Sequence, residues 1–320
     1  MGMKIIYAGA PAFSVPPLAA LRKAGFEVLA VLTQPDKPVG RKAVLTPTPL
    51  KAFAAERGIP ALDFAKVREH VSELSAVGAD CMVTCAYGQI LTAEVLSAFP
   101  RGVYNIHASL LPRWRGASPI QHAILAGDAK TGVTVMRTDV GLDTGDMLLA
   151  REIPIAADDT AATLSDKLSA LGGECIVDAL RKIEDGTAAF VPQPAEGVTL
   201  CKKIKKEECA VDFSKTSAEI CNLIRAMNPA PLAFSYLRGA PVNLFFAQPA
   251  EAENAEAESA EGGRAGEVVR ADKTGICVRA GEGLVRILEL QAAGGKRMRA
   301  ADFVNGRKVA VGDVFSKEPQ

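Results

Sequence analysis

The sequence contains no apolar run of about 18 residues, the length that a membrane-spanning helix needs. Its first residues pass from Met1 directly into a strand-like stretch at 4–8, without the apolar core of a secretory signal peptide. We therefore expect a cytoplasmic protein that does not bind a membrane.

Paired cysteines are also missing, because the seven cysteines are scattered and form no C-x-x-C pair. Neither a zinc site nor a disulfide framework is expected, although a catalytic cysteine remains an alternative. The first predicted strand is followed by Gly9 and then Ala-Pro-Ala-Phe-Ser, which does not match the G-x-G-x-x-G fingerprint. We accordingly predict neither a metal nor NAD.

Neither sign of charge dominates, since 37 Lys and Arg balance 37 Asp and Glu. The acidic residues are unevenly distributed: five of them lie in the Ala/Glu-rich segment 251–263, which we predict to be a mobile loop. Without that segment, basic residues outnumber acidic ones after residue 190. Basic character in that part of the chain is compatible with a nucleic-acid partner.

The pattern of predicted elements indicates two domains. Up to about residue 189, strands alternate with helices, which predicts an α/β domain with a doubly wound, mostly parallel sheet. Residues 190–206 have the irregular, proline-containing composition of a linker. Short strands separated by turns dominate the remainder, 207–320, and favour an OB-type β-barrel.

Candidate catalytic residues cluster between residues 103 and 147. Asn105 and His107 lie two apart on a predicted strand, so their side chains share one face. Asp143 lies on a glycine-containing loop after another predicted strand, and we expect the three groups to meet at the carboxyl edge of the sheet. An amide, an imidazole and a carboxylate together suit transfer of a one-carbon acyl group to an amine.

Simpler interpretations of the same residues remain open. A single histidine such as His107 is often structural. The tripeptide Asp-Thr-Gly at 143–145 also occurs in aspartic proteases, but those enzymes need two such carboxylates, so two chains would have to pair. The three aspartates of the loop do not have EF-hand spacing, and a solvated acidic turn would also explain them.

Two segments carry a family resemblance: 107–116, which reads HASLLPRWRG, and 141–146, which reads GLDTGD. They resemble the formyltetrahydrofolate-dependent formyltransferases, whose N-x-H-x-S-L-L-P and D-x-G-D patterns match Asn105, His107 and Asp143. The resemblance implies that this trio is catalytic and that the co-substrate is 10-formyltetrahydrofolate. Ala108 is a departure, because the family more often has glycine there.

The resemblance also implies a folate pocket, in which backbone groups hold most of the pterin ring. Two turns and part of the acidic loop would contribute to it. The implied residues are Tyr87, Gly88, Ser109, Leu110, Leu111, Pro112, Asp139 and Gly141. Leu110 and Leu111 are equally compatible with a plain core role.

Within the family, the members that formylate initiator methionyl-tRNA are most similar to this chain. The resemblance includes a proline-rich basic loop at 34–49, a K-x-x-K-E-E segment and the N-P-x-P element at 228–231. The residues implied to contact tRNA are Arg41, Lys42, Lys203, Lys205 and Lys206. A flexible surface loop and a solvated helix start would account for the same charges.

Other functions stay open at this point. The trio alone does not distinguish a tRNA formyltransferase from one that acts on a nucleotide sugar or glycinamide ribonucleotide, or from a formyltetrahydrofolate hydrolase. A nucleic-acid-binding protein with an inactive folate site is a different class of alternative. The basic loop and the predicted barrel favour tRNA, and we expect a monomer because no exposed apolar stripe is evident.

Overall fold

The computed structural model describes residues 2–40, 42–250 and 263–319, and the chain divides into two compact units. The first unit comprises Met1–Pro119, Lys130–Pro154 and Ser165–Lys202. The second comprises Ile120–Ala129, Ile155–Leu164 and Lys203–Gln320. The division after Lys202 falls inside the predicted linker, 190–206, and two short earlier segments join the second unit.

The first unit contains a mostly parallel sheet. The strands up to residue 201 are β1 (Lys4–Gly9), β2 (Glu27–Leu32), β3 (Lys37–Val39), β4 (Val44–Thr46), β5 (Ala61–Leu62), β6 (Cys81–Cys85), β7 (Val103–His107), β8 (Arg115–Gly116), β9 (Lys130–Arg137), β10 (Met147–Pro154) and β11 (Leu200–Cys201). The helices up to residue 202 are α1 (Val15–Lys23), α2 (Pro49–Ala55), α3 (Val71–Ala76), α4 (Ala93–Ser97), α5 (Pro119–Leu125) and α6 (Ala161–Glu184). Most of α5 and the first residues of α6 belong to the second unit.

In the described residues, the sheet order is β10-β9-β7-β6-β1-β2-β5. Strands β5, β2, β1, β6 and β7 are parallel to one another. Strand β9 is antiparallel to β7, and β10 is antiparallel to β9. β6 is buried along its whole length and β1 from its second residue onward. Burial on both faces explains why these two strands are almost continuously apolar rather than alternating.

The second unit is built on a curled antiparallel sheet. Its elements are α7 (Ser217–Ala226), β12 (Ala233–Leu237), β13 (Ala240–Ala250), β14 (Val268–Asp272), β15 (Gly275–Arg279), β16 (Leu284–Ala292), β17 (Met298–Arg299), α8 (Ala300–Asn305) and β18 (Phe315–Ser316). The order is β14-β15-β16-β13-β12-β18, with β17 beside β16. β17 and β18 are too short for a sequence pattern to predict, because each has two residues.

The curled sheet joins its own ends. Val268 N, in β14, donates to Asp313 O at 2.7 Å, and Phe315 N, in β18, donates to Gly266 O at 2.7 Å. These bonds link the two outer strands, so the edges that an open sheet would expose pair with each other. The predicted fold class, an α/β domain followed by an OB-type barrel, is confirmed.

Helix α7 begins after Thr216, whose Oγ1 accepts a hydrogen bond from Glu219 N at 3.2 Å, as an N-cap residue should. The predicted loop 251–263 lies outside the described residues apart from Gly263. Across the part of the chain that is described, no helix has both the length and the apolar character needed to cross a membrane.

Candidate active site

β7 presents two of the predicted catalytic side chains. Asn105 is half-buried and His107 is 5% exposed, and alternation along the strand places both on one face of the sheet. Thr84 of the neighbouring strand β6 pairs with Asn105 in the parallel register. These residues lie at or near the carboxyl ends of adjacent parallel strands, where α/β sheets usually bind their ligands.

A hydrogen bond fixes the orientation of the Asn105 amide. Thr84 Oγ1 donates to Asn105 Oδ1 at 2.8 Å, which occupies the acceptor side of the amide. The donor atom, Nδ2, then faces Asp143, whose Oδ1 is 3.5 Å away. The amide therefore directs an N–H donor into the space beside the carboxylate.

The imidazole of His107 is held between a carbonyl and the same carboxylate. Its Nε2 lies 2.9 Å from Trp114 O. Because a carbonyl can only accept, Nε2 carries the proton of that hydrogen bond. Nδ1 faces Asp143 Oδ2 at 3.7 Å, which is longer than a hydrogen bond but short enough for strong electrostatic attraction when the ring is charged.

Asp143 reaches this position by a different route from the one expected. The end of β9 pairs with the start of β7, Arg137 lying opposite Tyr104, so the expectation that both strands end at one edge is wrong. The loop that connects β9 to β10 folds back over the sheet face that carries Asn105 and His107. Its shape, rather than the direction of β9, therefore brings the carboxylate to the imidazole.

Close packing within this loop explains its two glycines. A Cβ atom on Gly145 would lie 1.7 Å from Arg137 O, and one on Gly141 would lie 1.9 Å from Thr144 Oγ1. Asp139 accepts hydrogen bonds from Gly141 N at 3.0 Å and from Thr144 Oγ1 at 2.8 Å. The predicted folate residues Asp139 and Gly141 thus bond to each other inside the loop, and both are exposed.

Strained backbone accompanies the site. Ala86, Trp114 and Asp143 have φ values of 51°, 63° and 52°, in the left-handed region that residues with a Cβ rarely adopt. Asp143 is nevertheless supported, because Gly116 N donates to its Oδ2 at 2.9 Å. Strain of this kind persists only where surrounding contacts hold it, and it is frequent at functional sites.

The segment after β7 is organised by a buried hydroxyl. Thr134 Oγ1 donates to Ser109 O at 2.7 Å and accepts from Leu111 N at 3.1 Å. Ser109 Oγ in turn donates to Arg113 O at 2.6 Å. Ser109 and Leu111 are buried while their neighbours Leu110 and Pro112 are half-buried, so only the latter two keep appreciable exposed surface.

The turn after β6 offers backbone rather than side-chain groups. The ring of Tyr87 is 4% exposed and belongs to the apolar cluster that includes Ile6 and Leu32. Burial raises the pKa of its hydroxyl, which has no hydrogen-bond partner within the described residues. Gly88 is exposed with φ +76°. β6 and β7 are adjacent and parallel, so this turn and the segment 108–112 follow strand ends at the same edge.

The residues predicted to contact tRNA lie in both units. In the first, Lys42 is exposed in the turn between β3 and β4, and Arg41 lies outside the described residues. In the second, Lys203, Lys205 and Lys206 are exposed where the chain enters a short 3-10 helix.

Two residues that support the site were not singled out by sequence reasoning. Thr84 is a polar residue in the otherwise apolar strand CMVTC, and this contrast is a usable signal. Gln193, whose amide contacts the Asp143 loop, lies between two prolines in a segment that resembles an ordinary linker. Its sequence context contains no signal for such a role.

Two family models match this chain. The formyl transferase model matches residues 3–180, and the model of the formyl transferase C-terminal domain matches residues 203–308. Together they cover most of both units. The family resemblance predicted from the two sequence segments is therefore confirmed.

Curated relatives make the assignment more specific. A methionyl-tRNA formyltransferase from Chromobacterium violaceum is 49% identical over 315 residues, covering 97% of this chain and 98% of the relative. One from Herminiimonas arsenicoxydans is 46% identical over 315 residues, covering 95% and 97%. The chain belongs to the formyl transferase family and, within it, to the methionyl-tRNA formyltransferases.

Solved structures share the fold at much lower identity. HypX from Aquifex aeolicus in complex with tetrahydrofolic acid has a TM-score of 0.66 at 19% identity, covering 97% of this chain and 48% of HypX. An N-formyltransferase from Helicobacter canadensis in complex with folinic acid and dTDP-3-aminofucose has a TM-score of 0.65 at 19% identity, covering 93% and 100%. At this identity the likeness concerns the fold alone.

Proposed function

We propose that this protein transfers the formyl group of 10-formyltetrahydrofolate to the α-amino group of methionine on initiator methionyl-tRNA, for translation initiation. Similarity to methionyl-tRNA formyltransferases over nearly the whole chain supports this assignment. The observation that carries it is the convergence of Asn105, His107 and Asp143 at one point of the α/β unit. The three residue types supply the donors and the base that formyl transfer to an amine requires.

Asn105 and His107 stabilise the oxyanion in this mechanism. The methionyl amine attacks the formyl carbon, and the carbonyl electron pair moves onto oxygen to give a tetrahedral intermediate. Nδ2 of Asn105 is directed into the site because Thr84 occupies Oδ1. His107 contributes its Nδ1 side, since Nε2 is already bonded to Trp114 O. Donors fixed before reaction stabilise the developing negative charge without having to reorient.

Asp143 has two tasks in the same step. Its carboxylate faces Nδ1 of His107 at 3.7 Å and orients the ring, which acts in this proposal as the protonated imidazole. It also assists removal of the proton that the attacking nitrogen must lose. The intermediate then collapses, the bond from the formyl carbon to the folate nitrogen breaks, and that nitrogen takes up a proton.

Folate binding is assigned to the edge of the sheet near the trio. The residues proposed are Tyr87, Gly88, Ser109, Leu110, Leu111, Pro112, Asp139 and Gly141. Tyr87 contributes through its backbone, since its ring is buried in the core. Backbone donors and acceptors suit a flat heteroaromatic ring with several polar edge atoms.

Binding of tRNA is assigned to exposed cations. Lys42, Lys203, Lys205 and Lys206 are exposed, and ammonium groups recognise phosphates as point charges. Arg41 is proposed with them from the sequence resemblance. We further propose that the protein is a cytoplasmic monomer.

A substrate panel tests the assignment. The full-length protein is incubated with 10-formyltetrahydrofolate and, separately, with charged initiator tRNA, free methionine, a nucleotide-linked amino sugar and no acceptor. We expect rapid formylation of the charged tRNA and slow or undetectable turnover with the other acceptors. Preferential turnover of the amino sugar, or folate hydrolysis without an acceptor, would replace the tRNA assignment with one of these activities.

A further inference from the structure

The side chain of Gln193 connects two parts of the candidate site. Its Nε2 donates to Asp143 O at 2.8 Å and to Gly145 O at 2.9 Å. Its Oε1 accepts from Arg115 Nε at 2.9 Å. One amide thus bonds to the loop that carries the candidate carboxylate and to strand β8.

The orientation of this amide follows from its partners. The two backbone carbonyls can only accept hydrogen bonds, and the guanidinium can only donate them. Nε2 must therefore face Asp143 and Gly145, while Oε1 faces Arg115. Both hydrogens of the amide are used, so a shorter or differently charged side chain cannot form the same three hydrogen bonds.

The backbone on either side holds Gln193 in place. Val191 N and Met147 O are 2.9 Å apart, and Met147 N and Val191 O are 2.8 Å apart, which fixes residue 191 against the first residue of β10. Arg115 N donates to Thr199 O at 2.9 Å, and β8 pairs with β11. Gln193 is therefore anchored between two fixed segments of the same unit.

These contacts close a ring of hydrogen bonds around Asp143. Arg115 precedes Gly116, whose N–H donates to Asp143 Oδ2 at 2.9 Å. Gln193 bonds both to Arg115 and to the backbone carbonyl of Asp143, so it sets the distance between strand β8 and the loop that carries Asp143. Asp143 has φ +52°, a conformation that needs such support.

We propose that Gln193 is a positioning residue for Asp143: by holding the loop backbone against β8, it keeps the carboxylate aimed at the imidazole of His107. The inference rests on the proposed role of Asp143 in formyl transfer. Gln193 itself acts through Asp143 and not on the reacting atoms. Its loss displaces the carboxylate, and displacements of about 1 Å in an active site cost on the order of 100-fold in rate.

Two substitutions of Gln193 test the proposal in the full-length protein. Gln193→Ala removes all three hydrogen bonds, whereas Gln193→Glu keeps the size and the contact with Arg115 but replaces the two donors with an acceptor. We expect each to lower kcat by about 10- to 100-fold while KM for the folate and for the charged tRNA changes less than about threefold. A kcat within twofold of the unsubstituted enzyme for both variants would overturn the proposal.

A double substitution separates positioning of Asp143 from a general structural effect. If Gln193 acts through Asp143, adding Gln193→Ala to Asp143→Asn lowers single-turnover formylation no further than Asp143→Asn alone. If the two losses multiply instead, Gln193 acts independently of Asp143 and the proposal is wrong. The melting temperature of each variant is measured in parallel, and Gln193→Glu provides the result if the alanine variant does not fold.

The same experiment distinguishes failure of this inference from failure of the proposed function. A nearly inactive Asp143→Asn variant together with fully active Gln193 variants would refute the positioning role and leave the proposed function intact. A fully active Asp143→Asn variant would refute the role of Asp143, and the inference about Gln193 with it.

Discussion

Gly116 donates its backbone N–H to Oδ2 of Asp143 at 2.9 Å, so a residue with no side chain supports the candidate catalytic carboxylate. Oδ2 is also the carboxylate atom nearest to His107, 3.7 Å from Nδ1. The hydrogen bond to Gly116 thereby fixes the oxygen that the imidazole faces. Two consequences can be measured, one for the carboxylate and one for the glycine.

Replacement of the carboxylate tests its chemical role. Asp143→Asn keeps the size of the side chain but removes the negative charge and the base, so we expect kcat to fall by about 100- to 10,000-fold. Folate affinity, measured by titration of intrinsic fluorescence, should change little. Asp185→Asn is the control, because that carboxylate is exposed beyond the end of α6 in the same unit. Near-normal turnover of the Asp143 variant would contradict its proposed role.

Replacement of Gly116 tests how its backbone supports the carboxylate of Asp143. Gly116 has φ +119°, and a Cβ there would lie 2.2 Å from Cys201 O, so Gly116→Ala must separate β8 from β11. We expect a loss of about 1–3 kcal/mol in the free energy of unfolding, measured by denaturant titration, and a lower kcat. Gly197→Ala is the matched control: Gly197 also has positive φ, but its Cβ would meet nothing within 4 Å. An equally stable Gly116→Ala protein would show that the close approach to Cys201 is not required.

The seven buried thiols should be unreactive in the folded protein. Burial raises the pKa of Cys81 and Cys85 from an ordinary value of 9.0 to about 12, and that of Cys175 to about 11. The thiolate is the reactive form, so at pH 8 we expect an aromatic disulfide reagent to titrate few thiols before denaturation and seven after it. Rapid native labelling that abolishes activity would instead revive the alternative of a catalytic cysteine.

The same raised pKa values of the buried thiols predict that the folded protein loses stability at alkaline pH. The folded state keeps these thiols neutral, while the unfolded chain releases their protons from about pH 9 upward. The contribution of these neutral thiols to the free energy of unfolding is therefore complete below pH 9 and is lost as pH rises towards 12. Urea titrations at pH 8, 9 and 10 should give a decreasing free energy of unfolding. The decrease should be smaller in a Cys81→Ala variant, and an identical decrease would exclude Cys81 as a contributor.

Exposed lysines should contribute to tRNA affinity through phosphate contacts. For Lys42→Ala and Lys206→Ala we expect weaker binding of charged initiator tRNA, with the slope of log affinity against log salt reduced by about one for each substitution. kcat at saturating tRNA should stay within twofold. Lys66→Ala serves as the control, because this lysine forms an exposed ion pair with Glu69 in the first unit. An unchanged salt slope would remove the tested lysine from the proposed interface.

Local sequence determined much of this protein. Continuous apolar runs in β1 and β6 predict strands buried on both faces, and spacing of two residues places Asn105 and His107 on one face, because both properties depend only on the period of the strand. The residue types of the trio and the family resemblance also follow from short segments. Each segment that carries one of these signals has about ten consecutive positions or fewer.

Tertiary structure decided how distant segments meet. Three features depend on partners far along the chain. They are the antiparallel direction of β9, the path of the loop that carries Asp143, and the assignment of 120–129 and 155–164 to the second unit. Gln193 is the clearest case, since its partners at 115, 143 and 145 are about 50 to 80 residues away. Hydrogen bonds of a single side chain leave no period or composition in the sequence, so only the folded chain identifies them.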